Sequence, residues 1–213
     1  MALLPRHLVA FLAAVVRRPV TVGAVVPSSS RLAARLAAVV PRAGKPVVVE
    51  LGPGTGSVTA AIECRLGSRG RHVAVEIDPI LADYLRIAHP RVEVLVGDAA
   101  DLERLRATHH IPAVDVVISG LPWSLINPES QRAIVDATAR SLSPGGCFTT
   151  FAYVHGLSTP WARQFRALLG EVFDEVLTTR TVWWNLPPAV TYVCRRPQAG
   201  AAAVAAEHSN PLS

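Results

Sequence analysis

VVVELGPGTGSVTAAI, residues 47–62, decides how this chain reads. Residues 47–51 are apolar apart from Glu50, as expected of a parallel strand buried on both faces. Gly52, Gly54 and Gly56 follow, and residues without a Cβ let a chain turn tightly and approach a ligand with its backbone. A helix beginning near Gly56 aims its free N–H groups and positive dipole end at the same point. The stretch is therefore strand, ligand loop and helix. A dinucleotide fingerprint, G-x-G-x-x-G, needs glycine at positions 52, 54 and 57. Position 57 is Ser, and the spacing is instead E-x-G-x-G-x-G, which makes a pyrophosphate the less suitable ligand.

Outward from this stretch the pattern alternates. Apolar, β-branched runs occupy 47–51, 72–77, 92–96, 114–119, 146–153, 172–182 and 189–195, with helical segments near 56–66, 79–88, 101–107, 128–142 and 160–170. Such alternation predicts an α/β fold with parallel strands and right-handed crossovers. The last two runs are joined by the short NLPP stretch without a helix, so the final strand should be antiparallel.

Two later strand ends define the ligand further. The run 72–77 ends in Glu76, about 20 residues past the glycines, where a carboxylate accepts from both ribose hydroxyls. The run 92–96 leads into Gly97-Asp98-Ala99, an acid and a backbone N–H suited to an adenine amino group and ring nitrogen. Glu50, Glu76 and Asp98 together suit a ligand carrying an ammonium group, a ribose and an adenine, and they repel a pyrophosphate.

ELGPGTG, VEID, GDA, SGLPW (119–123) and LSPGG (142–146) occur in this order at the usual intervals, and over about residues 47–195 the chain resembles a class I S-adenosylmethionine-dependent methyltransferase. The resemblance implies a Rossmann-like seven-stranded, mostly parallel sheet with an antiparallel last strand and helices on both faces. It implies S-adenosyl-L-methionine as cofactor and S-adenosyl-L-homocysteine as product. Glu50, Gly52, Gly54, Gly56, Glu76, Ile77, Asp98, Ala99, Ser119 and Leu121 are then the expected cofactor residues.

The acceptor is harder to read, because methyl transfer from a sulfonium needs mainly positioning and exclusion of water. SGLPW is similar to the N-L-P-Y segment of rRNA adenine dimethylases, but Gly120 has no side chain to hold a base. The chain also lacks a dense basic stripe, so nucleic acid is not the expected partner. RRPVTVGAVVPSSSRLA (17–33), ELGPGTG, SGLPW and RTVWWNLPPAVTYVCRR (180–196) together resemble bacterial phospholipid N-methyltransferases, which act on phosphatidylethanolamine. That resemblance implies transfer to a lipid amino head group. Trp123, Tyr153, Trp183 and Trp184 are candidates for an aromatic cage around a methylated ammonium, or are ordinary core and rim residues. Arg180 is a candidate for a substrate phosphate. Asn185 either accepts from an amine or stabilises its own turn. Tyr153 is the candidate catalytic group, orienting the amine, and His155 is a lesser candidate for proton handling. A soluble small-molecule acceptor remains the alternative, because one fold serves many acceptors. A noncatalytic cofactor-binding protein is a third reading, opposed by the intact glycines and acids.

Residues 1–44 read as an N-terminal helical cap, 45–196 as the methyltransferase domain and 197–213 as a mobile tail. Within residues 1–18, Leu4, Leu8, Phe11, Leu12 and Val15 form one stripe, with Arg6, Arg17 and Arg18 beside it. This segment either closes the site as a lid or lies on an anionic membrane surface. The net charge of +5 agrees with an anionic partner. No apolar run reaches the roughly 18 residues that span a bilayer, and the arginines behind residues 7–16 argue against export. Cys64, Cys147 and Cys194 are far apart, and His109-His110 has no acidic partner nearby, so neither a disulfide framework nor a metal is expected. The expected place is cytoplasmic, either free or in peripheral contact with the inner membrane face.

Overall fold

The structure, a computed structural model, describes residues 28–198. The membrane-contact stripe expected in residues 1–18 and the tail beyond 198 lie outside the described residues. Residues 47–51 form β1 (Val47–Leu51), buried at every position after Val47. It is joined by β2 (Arg71–Glu76), β3 (Glu93–Val96), β4 (Val114–Ser119), β5 (Leu142–Tyr153), β6 (Phe173–Thr178) and β7 (Ala189–Pro197). The sheet order is β3-β2-β1-β4-β5-β7-β6. β1 pairs in parallel with both β2 and β4, whereas β7 runs antiparallel to β5 and β6. This is the expected Rossmann-like α/β sheet with an antiparallel last strand.

The helices are α1 (Ser30–Ala37), α2 (Ser57–Leu66), α3 (Pro79–Ala88), α4 (Leu102–Thr108), α5 (Pro128–Ser141) and α6 (Pro160–Val172). Three of them start alike. Asp78, Asn127 and Thr159 each accept a backbone N–H with the side chain, and proline takes the first helical position, where its missing N–H costs nothing. Strand alternation divides the core. Val49, Leu51, Val73 and Val75 face α4, α5 and α6 through Leu102, Ile134 and Phe165. Val48, Val116 and Ile118 face α1 and α2 through Leu32, Leu36 and Ile62.

Two boundaries differ most from the sequence reading. β5 starts at Leu142 directly after α5, so the Pro144-Gly145 segment is taken into the strand edge, with a register shift between Val114 and Val116 opposite it. β6 stops at Thr178 instead of running to 182, and Val182 makes only a single bridge to Ala189. In this sheet the carboxyl ends of β1 to β6 and the start of β7 share one edge, which carries both the glycine loop and the 179–188 loop.

Candidate cofactor and acceptor site

The glycine loop is sewn into the edge by its backbone. Gly52 N–H donates to Val75 O at 3.0 Å, and Gly120 N–H donates to Leu51 O at 2.9 Å. Gly52, Gly54 and Gly56 have φ values of 66°, 58° and 86°, the left-handed region that side chains disfavour. A Cβ on Gly52 would lie 2.6 Å from Leu121 Cδ2, and one on Gly56 would lie 2.5 Å from His89 Nε2. A Cβ on Gly54 would meet no atom within 4 Å, so that side of the residue faces open space.

The acids divide the work differently from the sequence reading. Glu50 is fully buried on the α2 face of the sheet. Its Oε2 accepts from Thr59 Oγ1 at 2.9 Å and lies 3.2 Å from His72 Nε2, which ties β1 to α2 and β2. Only Oε1 lacks a partner, so at most one oxygen is left for a ligand ammonium. Glu76 accepts from Gly54 N–H and Asp78 N–H, both at 3.1 Å, and so anchors the loop. Burial pushes its carboxyl above the ordinary value, against the lowering effect of the backbone N–H groups of Asp78, Gly54 and Ile77. Asp98 is half-buried, and its Oδ1 accepts from Ala100 N–H at 2.9 Å, which caps the 3-10 turn that starts at the buried Ala99. The open ground before Gly54, the orphan Glu50 oxygen and carboxylates at three adjacent strand ends fit S-adenosylmethionine.

The acceptor half begins at the end of β4. Ser119 is fully buried, and its Oγ accepts from Leu121 N–H at 3.2 Å, which turns Leu121 over Gly52. A Cβ on Gly120 would lie 2.8 Å from Gly52 O, so this crossing of β1 and β4 leaves no room for the asparagine of the dimethylase segment. Trp123 is 3% exposed; its Nε1 donates to Thr150 Oγ1 at 2.7 Å, and its ring stacks on Phe165 at 4.5 Å. It is a core residue with one edge on a small cavity of about 30 Å³, also lined by Leu121, Phe151, Tyr153, Trp161 and Tyr192. Tyr153 stacks against His155 at 5.8 Å. Burial raises its phenol above the ordinary value, which favours the neutral form over a phenolate base. Cys147 and Cys194 are equally poor nucleophiles, because burial pushes their thiols up to about 11 and about 12.

The expected four-residue cage is not assembled. Trp183 and Trp184 are 71% and 77% exposed and lie away from the cavity, because the chain leaves the sheet after the Val182 bridge. Asn185 is buried, its Oδ1 accepting from Ser29 N–H at 2.9 Å and its Nδ2 donating to Pro187 O at 2.7 Å. With both amide ends engaged it holds the loop to α1 instead of meeting an amine. Arg180 is exposed on the same edge. Among the described residues, no group of three His, Cys, Asp or Glu side chains is arranged to hold a metal. Sequence reasoning missed Thr59, His72 and His89, whose roles depend on cross-element distances. It also missed Phe151, Trp161 and Tyr192, which look like any aromatic of a core run.

The methyltransferase domain family matches residues 48–146. The chain is 32% identical over 188 residues to an ornithine lipid N-methyltransferase of Singulisphaera acidiphila, a match spanning 87% of this chain and 94% of that protein. A probable ribosomal RNA small subunit methyltransferase A of Pyrobaculum islandicum is 39% identical over 83 residues, 38% of this chain and 31% of its own length. Among solved structures, an O-methyltransferase from Bacillus cereus in complex with SAH superimposes with a TM-score of 0.60 at 18% identity, covering 89% of this chain and 90% of that one. Aeropyrum pernix fibrillarin with natively bound S-adenosyl-L-methionine gives 0.57 at 20% identity, covering 76% and 72%. The match to the lipid N-methyltransferase runs through the acceptor half as well as the glycine loop, and by it the chain belongs to the class I S-adenosylmethionine-dependent methyltransferases, with S-adenosylmethionine as its cofactor.

Proposed function

We propose that the enzyme methylates the primary amine of a membrane lipid head group, phosphatidylethanolamine or a lipid with the same free amine. One observation carries this reading: the ornithine lipid N-methyltransferase matches almost end to end, whereas the ribosomal RNA relative matches only 83 residues. The steric refusal of a side chain at Gly120 argues in the same direction.

S-adenosylmethionine supplies a methyl carbon bonded to a sulfonium sulfur. Gly52, Gly54, Gly56, Glu76, Ile77, Asp98, Ala99, Ser119 and Leu121 are assigned to its binding, with Glu76 at the ribose and Asp98 and the Ala99 N–H at the adenine. Glu50 contributes through the loop it braces and its one free oxygen. The acceptor amine must reach the site as a neutral lone pair, so its proton is lost to water before attack. Tyr153, kept neutral by burial, orients that amine by a hydrogen bond. Trp123, Phe151, Trp161 and Tyr192 exclude water around the nitrogen and favour the cation that forms. Arg180, exposed on the same edge, is assigned to the head-group phosphate or carboxylate. The basic apolar segment of residues 1–18 is assigned to peripheral contact with the inner membrane face. No helix among the described residues is long and apolar enough to cross a membrane.

A soluble amine is the second reading, favoured by the small size of the cavity beside Tyr153. Acyl-chain dependence separates the two. Measured kcat/KM for phosphatidylethanolamine in mixed micelles should exceed that for free phosphoethanolamine by at least an order of magnitude, because binding of remote substrate parts supports catalysis. Equal values for the two substrates would remove the lipid reading.

A further inference from the structure

On the side of α1 turned away from the core, Arg31, Ala34, Arg35 and Ala38 are exposed at positions i, i+3, i+4 and i+7, and so form one stripe. Opposite them stand Thr181, Val182, Trp183 and Trp184 of the 179–188 loop, and the two walls enclose a groove of about 500 Å³. The Arg31 guanidinium lies over the Trp184 ring at 4.8 Å. Trp183, Trp184 and Leu186 are 71%, 77% and 76% exposed, a density of large apolar side chains that water does not favour. Asn185, between them, is anchored to Ser29 at the start of α1. The loop is thus fixed to the helix while its tryptophans point outward.

We infer that this groove and its tryptophans dock on an anionic lipid bilayer, separately from any contact made by residues 1–18. The inference rests on the lipid reading of the function. Three features of the surface favour that occupant. The groove lining holds two arginines and no acid, so it complements lipid phosphate. Tryptophan is the side chain that settles at the head-group level, where one part of the ring meets hydrocarbon and the other water. Finally, the patch follows the strand pairing that leads from Tyr153, at the same end of the sheet. Tyr153 pairs with Ala189, Ala189 bridges Val182, and Trp183 and Trp184 follow at once. A bilayer touching these tryptophans brings head groups to the sheet edge on which the methyl transfer takes place. The guanidinium stacked on Trp184 keeps that ring oriented while leaving other Arg31 donors for phosphate.

The test uses the full chain with vesicles of phosphatidylcholine, with or without phosphatidylglycerol. The wild type should co-sediment with the phosphatidylglycerol vesicles, and its tryptophan emission should shift to the blue. Trp183→Ala/Trp184→Ala should lose the shift and partition at least tenfold more weakly, from the lost burial of two large side chains. Arg31→Gln/Arg35→Gln should weaken partitioning by about fivefold per charge at low salt. Both double variants should keep wild-type affinity for S-adenosyl-L-homocysteine, which shows that they fold. Partitioning unchanged in both variants overturns the inference. So does protection of Trp183 and Trp184 from acrylamide quenching in the absence of vesicles, because residues 1–27 or a second copy then cover the groove. The lipid reading is scored separately: if the variants lose vesicle binding and the wild type methylates no lipid amine in micelles, docking stands and that reading falls.

Discussion

The edge of the sheet has two halves built from different materials. Over β1, β2 and β3 the site consists of backbone and carboxylates: three left-handed glycines, Glu76 receiving the Gly54 N–H, and Asp98 capping its own turn. Over β4, β5 and β7 it consists of aromatic side chains around a cavity, with Trp123 pinned to Thr150 and Tyr153 kept neutral. In the proposed function the first half recognises a ligand that is the same throughout the family, so its geometry sits in rigid turns. The second is proposed to recognise an acceptor by packing and exclusion of water, which many aromatic arrangements can provide.

The sharpest way to break this contrast is at Gly52. Gly52→Val places a branched side chain against Leu121 at a backbone φ of 66°. The strain, about 3 kcal/mol, should lower cofactor affinity by about a hundredfold in isothermal titration. Affinity within a fewfold of wild type would mean that the loop adapts and its glycines are not required. Next, Asp98→Ala should cost about 1–3 kcal/mol of S-adenosyl-L-homocysteine binding through a lost charged hydrogen bond. The acceptor KM should stay put, and a change confined to that KM would move Asp98 out of the cofactor half.

Two smaller effects probe the acceptor half. Asn185→Ala leaves the half-buried Ser29 N–H without its acceptor, so thermal or chemical unfolding should show about 1–2 kcal/mol of lost stability. Cofactor affinity should not change. Full stability with lost activity would restore Asn185 as a substrate residue. Tyr153→Phe should cost about 1 kcal/mol in kcat/KM, a severalfold effect, with cofactor binding intact. Because burial raises the phenol's pKa, both proteins should share one pH profile, rising with pH as the acceptor amine loses its proton. A wild-type limb missing from the variant, at a pH below the ordinary tyrosine value, would reveal a phenolate base.

The strand, glycine loop and helix proposed to hold the cofactor were legible in the sequence because they are contiguous. Strand, glycines and helix lie in sixteen successive residues, and the acids follow at the ends of the next two apolar runs. The parallel strands and the antiparallel β7 also followed from pattern, whereas the strand order came only from the structure. What the pattern did not reveal was direction. Glu50 sits at the strand end as expected, yet its alternation position turns it to α2, where Thr59 and His72 take one oxygen. In the acceptor half the failures have a different cause. Trp183, Trp184 and Asn185 lie together in sequence, but the ladder ends at Val182, and the loop then turns two of them outward and one inward. The partner of Asn185 is 156 residues away, a distance no local pattern spans. Gly120 carried information of another kind: it looked like a missing acceptor group, and the structure shows a backbone crossing at 2.8 Å from a would-be Cβ.

The central claim is that a lipid amine receives the methyl group. The most direct measurement supplies the full chain with S-adenosylmethionine carrying an isotope-labelled methyl, together with phosphatidylethanolamine, an ornithine lipid, phosphoethanolamine and small-subunit ribosomal RNA in parallel reactions, and locates the label by mass spectrometry. Label is expected on the head-group nitrogen of at least one lipid, with little on the two soluble acceptors. Label on phosphoethanolamine or RNA with none on either lipid would contradict the claim.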